Sequence, residues 1–159
     1  MVSDGDQLYN DAALEDIPEL ANISETNDYK KVLVWKWTDD VKIKTHFWLM
    51  SHYIYHWSVI SESYTKALAT IPFIMSWDDH EIFNGFGSWP DFLQASDFFM
   101  GFRGLAETWY LIFQHHSTPE LLMEDLKWNV EADSGSGSGG LHWFSMLDAN
   151  SAILLPDLR

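Results

Sequence analysis

The chain has 159 residues, 47% hydrophobic and 21% charged, with nine Trp, ten Phe and six Tyr, and 24 acids against nine bases give a net charge of −15. This length and composition suit one folded domain with its own core, and so many rings need packing partners or self-association through whatever stays exposed. The charge argues against nucleic acid as a partner, because phosphates are repelled by such a surface, and the absence of Cys excludes disulfides and thiolate ligands.

Residues 1–31 are polar and acidic, and their start, MVSDGDQLYND, lacks the basic and apolar regions of a signal peptide. Asp11–Leu20 has room for one or two helical turns, with Pro18 breaking anything longer. Lys31–Trp37 (KVLVWKW) alternates in part and fits a strand or a helix start. Thr45–Ala69 predicts one helix, because Phe47, Met50, Ile54, Trp57 and Ile60 recur at three- and four-residue steps on one face. Thr70 and Pro72 end it. The apolar run Pro72–Trp77 (PFIMSW) predicts a buried strand that leads straight into Asp78-Asp79-His80-Glu81.

Asn84–Pro90 is a loop with an Asn-Gly turn signal. Ser96–His116 predicts a second long helix, with Ser96 as N-cap and Asp97 in the first turn. Pro119–Trp128 predicts a shorter helix, and Asp133–Gly140 (DSGSGSGG) a flexible loop. Leu141–Met146 and Ser151–Leu155 are short apolar segments, the second of strand type. No repeat is visible. The most apolar stretch, Phe47–Ile60, is too short and too interrupted by Ser51, His52, His56 and Ser58 to span a membrane. Without a leader or span in these residues the compartment stays open, with a cytoplasmic setting favoured.

Two acidic clusters, Gly5-Asp6-Gln7-Leu8-Tyr9-Asn10-Asp11 and Ser76-Trp77-Asp78-Asp79-His80-Glu81, sit where strand ends or turns are expected. Open α/β sheets place ligand sites at such ends. Carboxylates and a nearby His are what a dinuclear metal centre requires: one acid bridging, others holding each ion, the imidazole moving a proton. Singly, Asp6 or Asp79 is more readily a solvated or capping turn residue, and it is the pair of clusters, each after a short apolar run, that brings the two readings level.

The stretches GDQLYND, IPFIMSWDDHEIFNGFGSWPD and LHWFSMLDANSAILLPDLR together resemble the PhoD-like phosphatases of the fungal type, within the calcineurin-like metallophosphoesterases. The likeness runs over nearly the whole chain and is most specific at WDDHE, which stands where related enzymes have Gly-Asn-His-Glu. It implies an α/β fold that forms part of a calcineurin-like αββα sandwich with long inserted helices, residues 1–159 being the central portion of the domain. Asp6 matches a bridging metal ligand, Asp79 a second ligand, and His80 the residue that orients or protonates the leaving group. Tyr9, Asp78 and Arg159 match positions whose roles stay open between supporting the ligands and contacting substrate.

The same resemblance implies divalent or trivalent ions, with Fe, Ca, Mg, Mn and Zn undistinguished, and a phosphoester substrate, either a small molecule or a lipid. An upstream Asp and His motif and a downstream Gly-Asp-x-His motif of the family are absent from these residues. The expectation is therefore a phosphoester-hydrolase segment that is inactive alone. The alternative is a degenerate homologue acting as an interaction or cation-binding protein. Asp6 and Asp79 are expected to place their carboxylates within about 8 Å of each other, the reach of two ions and their bonds.

Other features have plainer readings. His52 and His56, four apart, lack a third ligand and read as packing or surface residues. His115 and His116 end a helix, where positive charge is favourable, and read as helix caps. Trp48, Tyr55, Trp109, Tyr110 and Phe113 read as helix core or as a surface awaiting a cover. Glu120, Glu124 and Asp125 read as a solvated face.

Overall fold

In a computed structural model, the chain is described for residues 1–118, 120, 121, 143–146 and 150–155. Short strands are embedded in a mostly helical body. β1 (Val2–Ser3) pairs in parallel with β2 (Ile74–Met75), with Val2 opposite Ile74 and Ser3 opposite Met75. β3 (Trp143–Met146) pairs antiparallel with β4 (Ala152–Leu155), forming a separate two-stranded sheet. The fold is thus mixed α/β. Arg159, Asp133–Gly140 and nearly all of Pro119–Trp128 lie outside the described residues.

Between β1 and β2 the chain makes a 3-10 turn (Asn10–Ala12) and five helices. These are α1 (Ala13–Asp16), α2 (Pro18–Ser24), α3 (Tyr29–Val34), α4 (Asp39–Ser58) and α5 (Glu62–Thr70). Pro18 interrupts the acidic segment as expected and opens α2 at its first turn, where a missing N–H is harmless. KVLVWKW resolves as the end of a helix, not a strand. Asp28 caps α3, its side chain accepting from the Lys30 N–H at 3.1 Å.

The long helix expected over Thr45–Ala69 begins earlier and is broken in two. Thr38 caps α4, accepting from the Val41 N–H, and Ser61 starts α5 afresh by accepting from the Tyr64 N–H. Local hydroxyl acceptors at Ser58–Ser61 compete with the continuing helical ladder. The apolar face read from the sequence is not the buried one. Phe47, Ile54 and Ile60 are 63%, 44% and 48% exposed, while Val41, Thr45, Leu49 and Tyr53 face inward at four-residue steps. Tyr55, read as helix core or as a surface awaiting a cover, is likewise half exposed.

After β2 come α6 (Asp91–Gln94) and α7 (Asp97–His115). α7 follows its predicted bounds, with Ser96 accepting from the Phe99 N–H. It buries Phe98, Phe99, Phe102, Ala106, Tyr110 and Leu111 against the rest of the core. Phe83 sits at the centre of this packing, edge-on to Phe86, Phe99 and Phe102 at 5.2–5.6 Å. Tyr110 packs on Trp77 at 4.3 Å and donates to the Met75 carbonyl at 3.1 Å, tying α7 to the end of β2. His115 is not a charged cap. Burial pulls its pKa down to about 4, so it is neutral near pH 7, and it hydrogen-bonds the Tyr110 hydroxyl at 2.7 Å.

Two glycines of α7 separate packing from propensity. Trp37 lies flush on Gly101 and donates its indole N–H to the Asp97 carbonyl at 2.8 Å. A Cβ at Gly101 would come within 1.9 Å of the Trp37 Nε1, whereas one at Gly104 meets nothing within 4 Å. Gly104→Ala is expected to stabilise the chain by up to about 1 kcal/mol through helix propensity. Gly101→Ala is expected to destabilise it by roughly 1–3 kcal/mol through overpacking, despite the same propensity gain. Thermal unfolding of the two variants should give shifts of opposite sign; equal shifts would remove Trp37 as the cause.

Candidate metal centre

The parallel pairing of β1 and β2 delivers both acidic clusters to one place, because each strand runs off at its C-terminal end into one of them. The Ser76 N–H donates to the Ser3 carbonyl at 3.1 Å, so the two chains separate only beyond the last paired residues. Gly5 (φ +116°) and Asp6 (φ +55°) are both left-handed and reverse the first loop over the second. Gly5 lies directly on Asp78: a Cβ there would fall 2.5 Å from both the Cβ and a carboxylate oxygen of Asp78.

Within this loop pair, ligand atoms of Asp6, Asp79 and His80 all lie within 4.8 Å of one another. That is well inside the expected 8 Å, and two bonds of roughly 2–2.5 Å to a common ion nearly span it. Two carboxylates and an imidazole are oxygen and nitrogen donors of the kind that Mn, Fe or Zn accept. The donor set therefore fits a bound cation. Asp78 is adjacent but outside the three; its Oδ1 accepts from the Asp79 N–H at 2.9 Å. The Tyr9 hydroxyl donates to Asp6 Oδ2 at 3.0 Å and its ring lies 4.1 Å from that of His80. Of the residues matched by resemblance, five of six are thus assembled; Arg159 is not among the described residues.

Residues to which the sequence reading gave no role hold this arrangement. Glu81 is fully buried and gathers both loops, accepting from the Gln7 N–H at 2.7 Å, the Asp78 N–H at 3.0 Å and the Asp6 N–H at 3.3 Å. Burial pushes its pKa up to about 7, against the pull of those three donors. Asn10, also buried, donates its N–H to the His80 carbonyl at 3.0 Å and its side-chain amide to the Glu81 carbonyl at 2.7 Å. Asp11 Oδ2 lies 2.7 Å from His80 Nδ1, while its Oδ1 accepts from the Asn84 N–H at 2.6 Å. The Gly85 N–H donates to Asp79 Oδ2. Asn10, Asp11 and Glu81 stand inside the two acidic motifs, but nothing local in the sequence pairs them, because their partners lie some seventy residues away.

The electrostatics favour a cation. Burial lowers the His80 pKa, but the Asp11 hydrogen bond and the charges of Asp11, Asp79 and Asp6 outweigh it and leave it raised. Asp78 is raised by burial and then by the Asp79 and Asp6 charges, and Tyr9 by its hydrogen bond to Asp6. The side-chain partners of these carboxylates among the described residues are Tyr9 and His80, with no Lys or Arg. With Nδ1 engaged by Asp11, Nε2 is the ring nitrogen left to face an ion or a substrate, the usual role of a carboxylate partner beside a ligating His.

In this mixed α/β chain, carboxylates and an imidazole converge at the ends of two parallel strands. The chain belongs to the PhoD related phosphatase family, whose profile matches residues 1–159. It is also similar to the Saccharomyces cerevisiae protein YGR266W, at 28% identity over 177 aligned residues. That alignment covers 98% of this chain but 25% of the yeast protein, so the chain spans about a quarter of the length of this relative. No solved structure matches. Among the described residues no helix is long and apolar enough to cross a membrane.

Proposed function

We propose that this chain carries one wall of the dinuclear metal centre of a phosphoester hydrolase, built on part of a calcineurin-like αββα sandwich. The observation that supports it is the convergence of Asp6, Asp79 and His80. Asp6 and Asp79 would hold the ions. The ions, when bound, stabilise charge on the phosphoryl oxygens and acidify water. His80, held through Nδ1 by Asp11, keeps Nε2 available to protonate the leaving alcohol. Tyr9 fixes the Asp6 carboxylate and covers one face of the His80 ring, while Asp78 and Gly85 fix the backbone and carboxylate of Asp79.

Two carboxylate ligands are fewer than two ions need, at roughly four to six donors each. The remaining donors belong, in this reading, to polypeptide beyond these 159 residues, in keeping with the greater length of the yeast relative. A cation-binding homologue without turnover is the second reading, favoured by the same small ligand set. The test is Mn2+ binding by titration calorimetry beside hydrolysis of an aryl phosphate. The chain is expected to bind Mn2+ weakly, to lose on Asp79→Asn at least the roughly 10–100-fold in affinity that an outer-shell change costs, and to turn over at background. Metal binding indifferent to both Asp6→Asn and Asp79→Asn would sink the site. Turnover well above background, abolished by Asp79→Asn and His80→Ala, would show that the centre is complete within this chain.

A further inference from the structure

Behind the Asp11–His80 pair lies a cavity of about 450 Å³ that the metal reading does not use. Its volume is that of a small-molecule pocket. The floor is hydrocarbon, from Ile23, Val32, Phe83, Leu93 and Phe99, all buried. At the side stand Tyr29 and Trp89, 48% and 40% exposed, presenting ring surface to the opening. The rim is acidic: Asp11, Glu15 and Glu25 line it, and no Lys, Arg or His does among the described residues. Glu15 and Glu25 have no ion-pair partner among those residues.

An anionic ligand would be repelled by this rim, and a plain hydrocarbon would leave Glu15 and Glu25 beside it without a counter-charge. Apolar floor, open aromatic faces and acids together match an organic ammonium ion, whose charge is stabilised by carboxylates and by ring faces while its stem is desolvated. The cavity also shares its wall with the candidate centre. Asp11 holds His80, the Asn84 N–H on the rim holds Asp11, and the next residue, Gly85, holds Asp79.

We propose that this cavity binds the alcohol half of the substrate, and that the substrate class is a phosphoester whose leaving alcohol carries an ammonium group on an apolar body. This assignment of substrate rests on the metal-centre reading above. Hydrolysis would add one water across the ester bond: hydroxyl to phosphorus, with the P–O bond broken, and a proton to the departing ammonium alcohol. The pocket discriminates by charge, and the centre handles the phosphoryl group.

Three probes with one body and different charge test it: 2-phenylethylammonium, 2-phenylethanol and phenylacetate, titrated calorimetrically into the chain. The ammonium is expected to bind about tenfold tighter than the alcohol, and phenylacetate not to bind. The double variant Glu15→Gln, Glu25→Gln is expected to bring the ammonium down to the affinity of the alcohol while leaving the alcohol unchanged. Asp79→Asn, which removes a proposed ion ligand, is expected to leave all three probes unaffected. Equal binding of ammonium and alcohol, an ammonium affinity untouched by the double variant, or no binding of any probe would each overturn the proposal without touching the metal reading. Loss of the metal site alongside intact ammonium binding would instead retain the pocket and remove the phosphoester.

Discussion

Glu81→Ala is expected to destabilise the chain by about 3 kcal/mol or more and to abolish metal binding. The carboxylate is fully buried and is the side-chain acceptor for the N–H groups of Asp6, Gln7 and Asp78. Removing it leaves three donors facing a small void, and each unsatisfied buried donor costs about 1–3 kcal/mol unless water enters. The three donors belong to both loops, so their release also uncouples Asp6 from Asp79. Glu81→Gln should fall between, because its amide oxygen can still serve the Asp6 and Asp78 N–H groups while its NH2 is turned on Gln7. Urea unfolding with a parallel Mn2+ titration reads both effects. A Glu81→Ala variant within about 0.5 kcal/mol of the parent, the range of ordinary surface changes, would show that Glu81 is not the joint between the loops.

Gly5→Ala is expected to be comparably damaging for an unrelated reason. At φ +116° an L side chain is strained by roughly 1–3 kcal/mol, and the added Cβ would lie 2.5 Å from Asp78. Asp78 cannot withdraw freely, since its own N–H is bound to Glu81 and its Oδ1 to the Asp79 N–H. A combined loss of about 3 kcal/mol corresponds to a fall in Tm of roughly 6–12 °C for a chain of this size. Asp79 should be displaced with Asp78, and ion affinity should drop together with Tm. Gly104→Ala provides the contrast, since its surroundings are open. Unchanged Tm in Gly5→Ala would mean that the first loop is free to take another path.

The two motifs and the second long helix were legible in the sequence because each is locally determined. Ser96 with Asp97 specifies a helix start, and WDDHE follows an apolar run that ends in a strand. The face of α4 was misread because hydrophobicity alone does not say which side a neighbour occupies. Thr45 and Tyr53 are buried there through hydroxyl bonds, Thr45 to the Val41 carbonyl and Tyr53 from Gln114, while Phe47 and Ile54 face outward. The break at Val59–Ser61 turns on a capping hydroxyl that scores like any other polar residue in a periodic pattern. The roles of Glu81, Asn10 and Asp11 were invisible for a different reason: their partners lie some seventy residues away, and only the pairing of β1 with β2 brings them into contact.

That separation has a kinetic meaning. Gln7 and Glu81 are 74 positions apart, and between them lie helices that can form from local contacts alone. Closing so long a loop must be paid in chain entropy before any ligand–ligand contact rewards it. A partly folded chain with its helices in place therefore has no metal site at all, and any ion that binds the assembled site draws the equilibrium toward the fully closed chain. The backbone amide protons of Asp6 and Gln7 are guarded by a contact that forms only when the two ends of this loop have met.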